Sequence, residues 1–247
     1  MKSKTYQLHL AGHYNNKSSA FRISESFANI SDYEPENSLK VFPECTTTTR
    51  DSTIFGFDED NAASDGSDLV LTVPCSTNQA DTLRKGGEVY YDTAYQYGRF
   101  KATIKIDIDS CYYQGAFWLG DLVGTFWQET IFMEIYRHPN NGPMIDCVTV
   151  YNAAKEDSGY IILNTVLDSI PDMTEYNEYQ IEWAADFIKF YFNGECIHTT
   201  DANADIPTQN LTPFFSYKIV PWSGGTTNCY PPTADSDRYF KCQWAAY

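Results

Sequence analysis

Phe187-Ile188-Lys189-Phe190-Tyr191-Phe192-Asn193-Gly194-Glu195-Cys196-Ile197-His198-Thr199 reads as two apolar-aromatic runs joined by Asn-Gly. Both central positions of a type I′ turn need positive φ, and Asn followed by Gly supplies them. The stretch therefore predicts a β-hairpin. Outward from it the same signal repeats. Residues 100–108 alternate apolar and polar side chains, the period of a strand with one face buried. Shorter runs at 67–73, 88–91, 115–120, 130–136, 145–151, 160–167, 178–183, 214–220 and 239–244 continue the series, and no amphipathic helix of three turns is present. The expectation is an all-β antiparallel chain of ten or more short strands, a sandwich or jelly roll.

The chain has 247 residues, enough for one large domain with a substantial core. No linker or internal repeat divides it, so residues 1–247 are read as a single domain. The first 85 residues or so are the least periodic, with loops expected near Asn15-Asn16-Lys17-Ser18 and Asp58-Glu59-Asp60-Asn61. Aromatic residues make up 16% of the chain. Their flat apolar faces and polar edges suit sugar rings as well as strands. A formal net charge of −16 argues against nucleic acid, which needs Lys and Arg for its phosphates, and against an anionic membrane surface. A neutral polysaccharide is compatible with it.

Seven cysteines (45, 75, 111, 147, 196, 229 and 242) form no close C-x-x-C pair, which argues against a structural zinc site. Up to three disulfides with one thiol left over, or buried free thiols, both remain open. Asn-x-Ser/Thr sequons at Asn16, Asn29 and Asn210 suit a secreted protein. No long apolar run stands at the N-terminus, and no segment reaches the roughly 20 apolar residues of a membrane span. An extracellular, monomeric protein is the expectation.

The chemistry is concentrated in Trp127-Gln128-Glu129-Thr130-Ile131-Phe132-Met133-Glu134. Two carboxylates held on one strand are what glycosidic-bond hydrolysis requires. A strand alternates faces with period two, so Glu129 and Glu134 should point opposite ways. One β-bulge between them would restore parity and place Glu129, Ile131 and Glu134 on one face, with Thr130 and Phe132 on the other. Two unrelated strand glutamates are the plainer alternative. Trp127 shares the parity of Glu129 and Tyr136 that of Glu134, so both are placed beside the site or in the core. Trp118 is read as a sugar platform or a core Trp. Trp222, in the Gly-rich stretch Trp222-Ser223-Gly224-Gly225, is read as an exposed platform. Among the histidines singled out, His138 is read as a solvated loop residue and His198 as structural. No cofactor or metal is expected from the residue pattern.

Four motifs in order resemble one family. Tyr97-Gly98-Arg99-Phe100-Lys101-Ala102-Thr103-Ile104-Lys105, Gly115-Ala116-Phe117-Trp118-Leu119-Gly120-Asp121, the stretch from Glu129 to Glu134, and Tyr179-Gln180-Ile181-Glu182-Trp183 with its following hairpin resemble segments of glycoside hydrolase family 16. These are the laminarinase- and lichenase-like enzymes. The likeness covers about residues 86 to 200 and is fainter from 211 to 247. It implies a concanavalin-like β-jelly-roll of two antiparallel sheets. It also implies retaining endo-hydrolysis of a β-linked polysaccharide of the glucan or galactan class. By the family's signature, Glu129 would be the nucleophile and Glu134 the general acid/base. Trp118 matches a family aromatic near the cleaved bond. The family's central Asp is Ile131 here, which neither donates nor accepts a hydrogen bond and dries its surroundings, raising the pKa of nearby carboxyls. Some family members bind a structural calcium on the convex face; nothing in this sequence locates such a site. A non-catalytic lectin-like protein on the same fold, or an assembly protein using only the sandwich frame, are the alternative readings.

Overall fold

The computed structural model describes residues 39–41, 45–48, 54–65, 68–74, 85–91, 94–108, 113–120, 129–138, 142–150, 160–165, 171–200, 206–219 and 237–246. In chain order the strands are β1 (Leu39–Val41), β2 (Cys45–Thr48), β3 (Ile54–Phe57), β4 (Ala62–Ser64), β5 (Leu69–Val73), β6 (Gly87–Tyr91), β7 (Gly98–Ile106) and β8 (Tyr113–Gly120). They continue with β9 (Thr130–His138), β10 (Gly142–Val150), β11 (Tyr160–Thr165), β12 (Asn177–Trp183), β13 (Ile188–Phe192), β14 (Glu195–Thr199), β15 (Thr212–Ile219) and β16 (Arg238–Ala246). Among the described residues the helical content is one 3₁₀ turn, Glu59–Asn61, at the expected loop.

Two seven-stranded antiparallel sheets form the sandwich. The first runs β1-β6-β15-β8-β9-β10-β11 and the second β14-β13-β12-β7-β16-β5-β4. β2 and β3 pair separately. This is the jelly-roll architecture the resemblance implies. The alternating pattern read at 100–108 has its cause here. Phe100, Ala102, Ile104 and Ile106 of β7 are fully buried, and the intervening Lys101, Thr103 and Lys105 are partly exposed. β12 and β13 behave alike, and the β13–β14 hairpin turns at Asn193 (φ 47°) and Gly194 (φ 81°). No atom lies within 4 Å of a Cβ built on Gly194, so backbone conformation, not space, selects glycine there.

The core lies between the sheets. Ile131, Met133 and Ile135 of β9, with Phe117 and Leu119 of β8, meet residues such as Phe240 and Trp183 of the second sheet. Phe117 stacks on Phe215 with centroids 5.2 Å apart. Cys147 and Cys242 are buried in this layer. Burying one such aliphatic side chain contributes about 1.5–3 kcal/mol. That energy fixes register, because a one-residue slip would turn every core side chain of a strand outward.

β9 is regular. Its register is unbroken from Gly120↔Thr130 to Gln114↔Tyr136 against β8, and from Thr130↔Val150 to His138↔Gly142 against β10. The expected bulge is therefore absent, and the face assignment built on it is corrected. Ile131 packs in the core, and the side chains that point away from it are Thr130, Phe132, Glu134 and Tyr136. Ile131, Met133 and Ile135 oppose Leu119, Phe117 and Gly115 on β8, and a bulge would have pushed part of this apolar set out of the core. Register shifts do occur elsewhere, between Phe190 and Tyr191 in the β13–β14 pair and between Cys242 and Trp244 in β16.

Candidate active site

Strand pairing places three parallel rows of side chains on the outer face of the first sheet. Cα partners across a sheet share a face, and strands lie about 4.8 Å apart. One row reads Glu88 (β6), Ser216 (β15), Ala116 (β8), Glu134 (β9), Asp146 (β10). On one side of it runs an aromatic row, Tyr90, Phe214, Trp118, Phe132, with Val148 at its end. On the other side run Lys218, Gln114, Tyr136 and Met144. The arrangement sets carboxylates beside a hydrophobic band.

The acidic row is polar yet shielded. Glu88 is 5% exposed, Asp146 6%, and Glu134 is half-buried. Burial is the main cause that raises Glu134 above the ordinary carboxylate range. The nearby Asp146 charge adds to the rise, while Lys218 and a hydrogen bond with Gln114 oppose it. Burial likewise lifts Glu88 to about 8, against the opposing pull of Lys218 and of a hydrogen bond with Ser216. Tyr136 donates its hydroxyl hydrogen to Asp146 Oδ2 at 2.9 Å. Burial first, then the Asp146 charge and that hydrogen bond, hold the phenol protonated. The row thus contains two carboxyls raised by burial, and Glu134 stands directly opposite another acid, Asp146.

Trp118 is half-buried on this face. Its indole stacks on Phe214 with centroids 3.9 Å apart and planes 13° from parallel. A Cβ at Gly120 would lie 2.2 Å from the indole, so glycine two residues on lets the ring lie flat along its own strand. Thr130 is 2% exposed on the same face, and its hydroxyl has no hydrogen-bond partner.

Glu129 sits elsewhere. It precedes β9 by one residue and is 7% exposed. Its Oε2 accepts the backbone N–H groups of Thr208 and Gln209, each at 2.9 Å. That segment is tied to the inner side of the second sheet, since Trp183 Nε1 donates to Pro207 O at 3.1 Å. The structure therefore brings Glu134, Tyr136 and Trp118 to one face and gives Glu129 to the segment that leads into β15. Trp127 and Trp222 lie outside the described residues. Asp146, Glu88 and Thr130 were not singled out from sequence. Asp146 is the one acid in Met144-Ile145-Asp146-Cys147-Val148, and Glu88 stands alone in Gly87-Glu88-Val89. That local signal marks outward-pointing acids, but only register shows that they share a row with Glu134. Among the described residues no group of His, Cys, Asp and Glu is arranged to hold a metal ion.

The family model for glycosyl hydrolases family 16 matches residues 49–245. The chain belongs to glycosyl hydrolases family 16. It is accordingly a glycoside hydrolase by family, built on the family's jelly roll. Similar solved structures include a Bacillus licheniformis β-glucanase, 16% identical, with TM-score 0.68 and coverage of 92% of this chain and 98% of that one. The laminarinase catalytic domain of Thermotoga maritima is 13% identical, with TM-score 0.66 and coverage of 92% and 96%. A Bacteroides ovatus family 16 endo-glucanase, solved with the ligand G4G3G-2F-DNP, is 15% identical, with TM-score 0.65 and coverage of 87% and 96%. No curated protein sequence matches the chain.

Proposed function

We propose that this family 16 chain is a retaining endo-hydrolase of a neutral β-linked glucan, with Glu134 as its general acid and base. The observation that carries the reading is the shielded carboxyl of Glu134 on the outer face of β9, flanked on its own strand by Phe132 and Tyr136. Burial and the Asp146 charge keep it protonated at a pH where an exposed glutamate would be ionised. A proton held there serves the leaving glycosidic oxygen in the first step. The resulting carboxylate then accepts a proton from the incoming water.

The rows supply binding. The acidic row spans five strands, four spacings of about 4.8 Å, which is long enough for several glycosyl units. Glu134 lies inside the row rather than at its end, as internal cleavage of a chain requires. Trp118 offers an apolar ring beside the row. The chain's net charge of −16 favours a neutral substrate over an anionic one. The β-glucanase and laminarinase among the similar structures support the glucan reading, while the κ-carrageenase from Pseudoalteromonas carrageenovora, solved with a κ-carrageenan oligotetrasaccharide, shares the fold and keeps a galactan substrate as the alternative.

The test is a reducing-end assay on β-1,3-, β-1,3/1,4- and β-1,4-glucans beside κ-carrageenan, run with Glu134→Gln. Release from a neutral β-glucan by the wild type, with at least a hundredfold loss in the variant, is expected. Release only from the sulfated galactan would overturn the substrate class. Undiminished activity of the variant would overturn the role of Glu134.

A further inference from the structure

Past the end of β9 the sandwich holds a cavity that the acidic row does not use. Its volume is about 560 Å³, within the size range of small-ligand sites. We propose that this cavity is a second, non-hydrolytic binding site for a neutral glycan chain, which keeps the enzyme on its polysaccharide. The inference rests on the proposed function for the identity of the glycan, and it adds a binding site remote from Glu134.

Four pieces of chain frame the cavity. They are the end of β7 with Asp107, the far end of the β9–β10 pair with Arg137 opposite Pro143, the segment 171–174, and the start of β16 with Tyr239. Backbone bonds tie three of them together. Ile106 N–H donates to Met173 O at 2.8 Å, and Asp107 N–H donates to Tyr239 O at 2.9 Å. Tyr239 N–H in turn donates to Asp107 Oδ2 at 3.1 Å. Much of the wall is therefore fixed before a ligand arrives, which lowers the ordering cost of binding. The cavity is separate from the acidic face. Arg137 lies three residues past Glu134, about 10 Å along the strand, and alternation turns it the other way. None of the lining residues belongs to the three rows of the outer face.

The lining matches a sugar. Arg137 and Arg238 bring guanidinium donors, and Asp107, Asp172 and Asp237 bring carboxylate acceptors. Sugar hydroxyls donate and accept, so one ring can use both kinds of group. Asp172 Oδ1 accepts the Thr174 hydroxyl at 2.6 Å and the Thr174 N–H at 2.9 Å. Those two bonds lower its pKa and hold it as a charged acceptor. Arg137 is exposed, and among the described residues its guanidinium makes no ion pair or hydrogen bond.

Tyr239 supplies the apolar part. It is 38% exposed, the one large hydrophobic side chain left exposed among the described residues, and its ring meets no other ring there. A flat face at the edge of a polar cavity is what stacking on a pyranose requires. Other occupants fit less well. Three aspartates outnumber the two arginines, which disfavours a phosphate or sulfate. Among the described residues no acidic group is arranged to hold a metal ion. A second site on the same molecule raises the effective concentration of the polysaccharide at the first, without touching the chemistry.

The experiment is affinity electrophoresis in native gels cast with β-1,3/1,4-glucan, or with κ-carrageenan as the anionic control. Every chain carries Glu134→Gln so that the gel is not digested. Adding Tyr239→Ala or Arg137→Ala should weaken retardation by the glucan at least about threefold, the loss expected for one stacking or hydrogen-bonding partner. In the otherwise wild-type chain the same substitutions should leave kcat/KM on a dinitrophenyl β-cellobioside within about twofold, while release from insoluble β-glucan falls at least about threefold. Unchanged retardation in either variant would overturn the site, and so would equal losses on the short glycoside and the polysaccharide. Retardation by κ-carrageenan alone, abolished by these substitutions, would overturn the neutral ligand. A chain that binds glucan through Tyr239 and Arg137 yet cleaves none would keep this site and overturn the hydrolase reading. A chain that neither binds nor cleaves a glucan would overturn both.

Discussion

Glu88 shows what the outer face costs. Its carboxyl is shielded, and burial raises its pKa from 4.5 to about 8. Between those values the folded chain holds a proton that the unfolded chain releases. The stabilisation is therefore fully present below about 4.5 and is lost as pH rises through about 8. A shift of this size corresponds to on the order of 3–5 kcal/mol. Glu134 is raised as well, so it acts in the same direction. Glu88→Gln is expected to leave the denaturant midpoint near pH 4.5 almost unchanged and to raise it at pH 8. Urea titrations at both values check this. Equal effects at the two pH values would mean that Glu88 is not titrating in the folded protein. Polar groups shielded at this expense, in a row with Glu134, suit a binding face better than a structural one.

At the scale of the strand, the decisive feature is the parity of β9. Ile131 points to the core and is fully buried. Read through the family signature, an acid at position 131 would be a gain for catalysis. In this structure Ile131→Asp instead places a carboxyl among Leu119, Thr149 and the facing sheet, without a paired charge. The expected outcome is a loss of at least about 4 kcal/mol, or insoluble protein, and no gain in turnover. Thermal unfolding and the reducing-end assay check both halves. A stable and more active variant would return Ile131 to the outer face and restore the bulge. The elements themselves were legible in the sequence. The Asn193-Gly194 turn has both positive φ values, and the alternation at 100–108 matches the buried and exposed faces of β7. The face of Glu129 was not legible. Five-residue spacing leaves parity open until register is known, and register is fixed by Phe117 and Leu119 on β8 and by Ile145 and Cys147 on β10. The pairing of Glu134 with Asp146 was hidden for the same reason, since it joins residues of different strands.

At the scale of the molecule, one sheet face is apolar against the second sheet while the other carries acids beside aromatic rings. The sandwich needs only its inner face for stability, which frees the outer face of β6, β15, β8, β9 and β10 for chemistry. The family match over residues 49–245 covers all of these strands. The central claim is that this face cleaves a glycosidic bond with Glu134 as the proton donor, and leaving-group dependence tests it most directly. Glu134→Gln should slow glucan cleavage by about 10²–10⁴-fold, because a sugar alkoxide leaves only with a proton. The initial burst of dinitrophenolate from an activated aryl β-glycoside should fall less than tenfold, because that anion leaves unaided. An equal loss on both substrates, or no loss on either, would contradict the account.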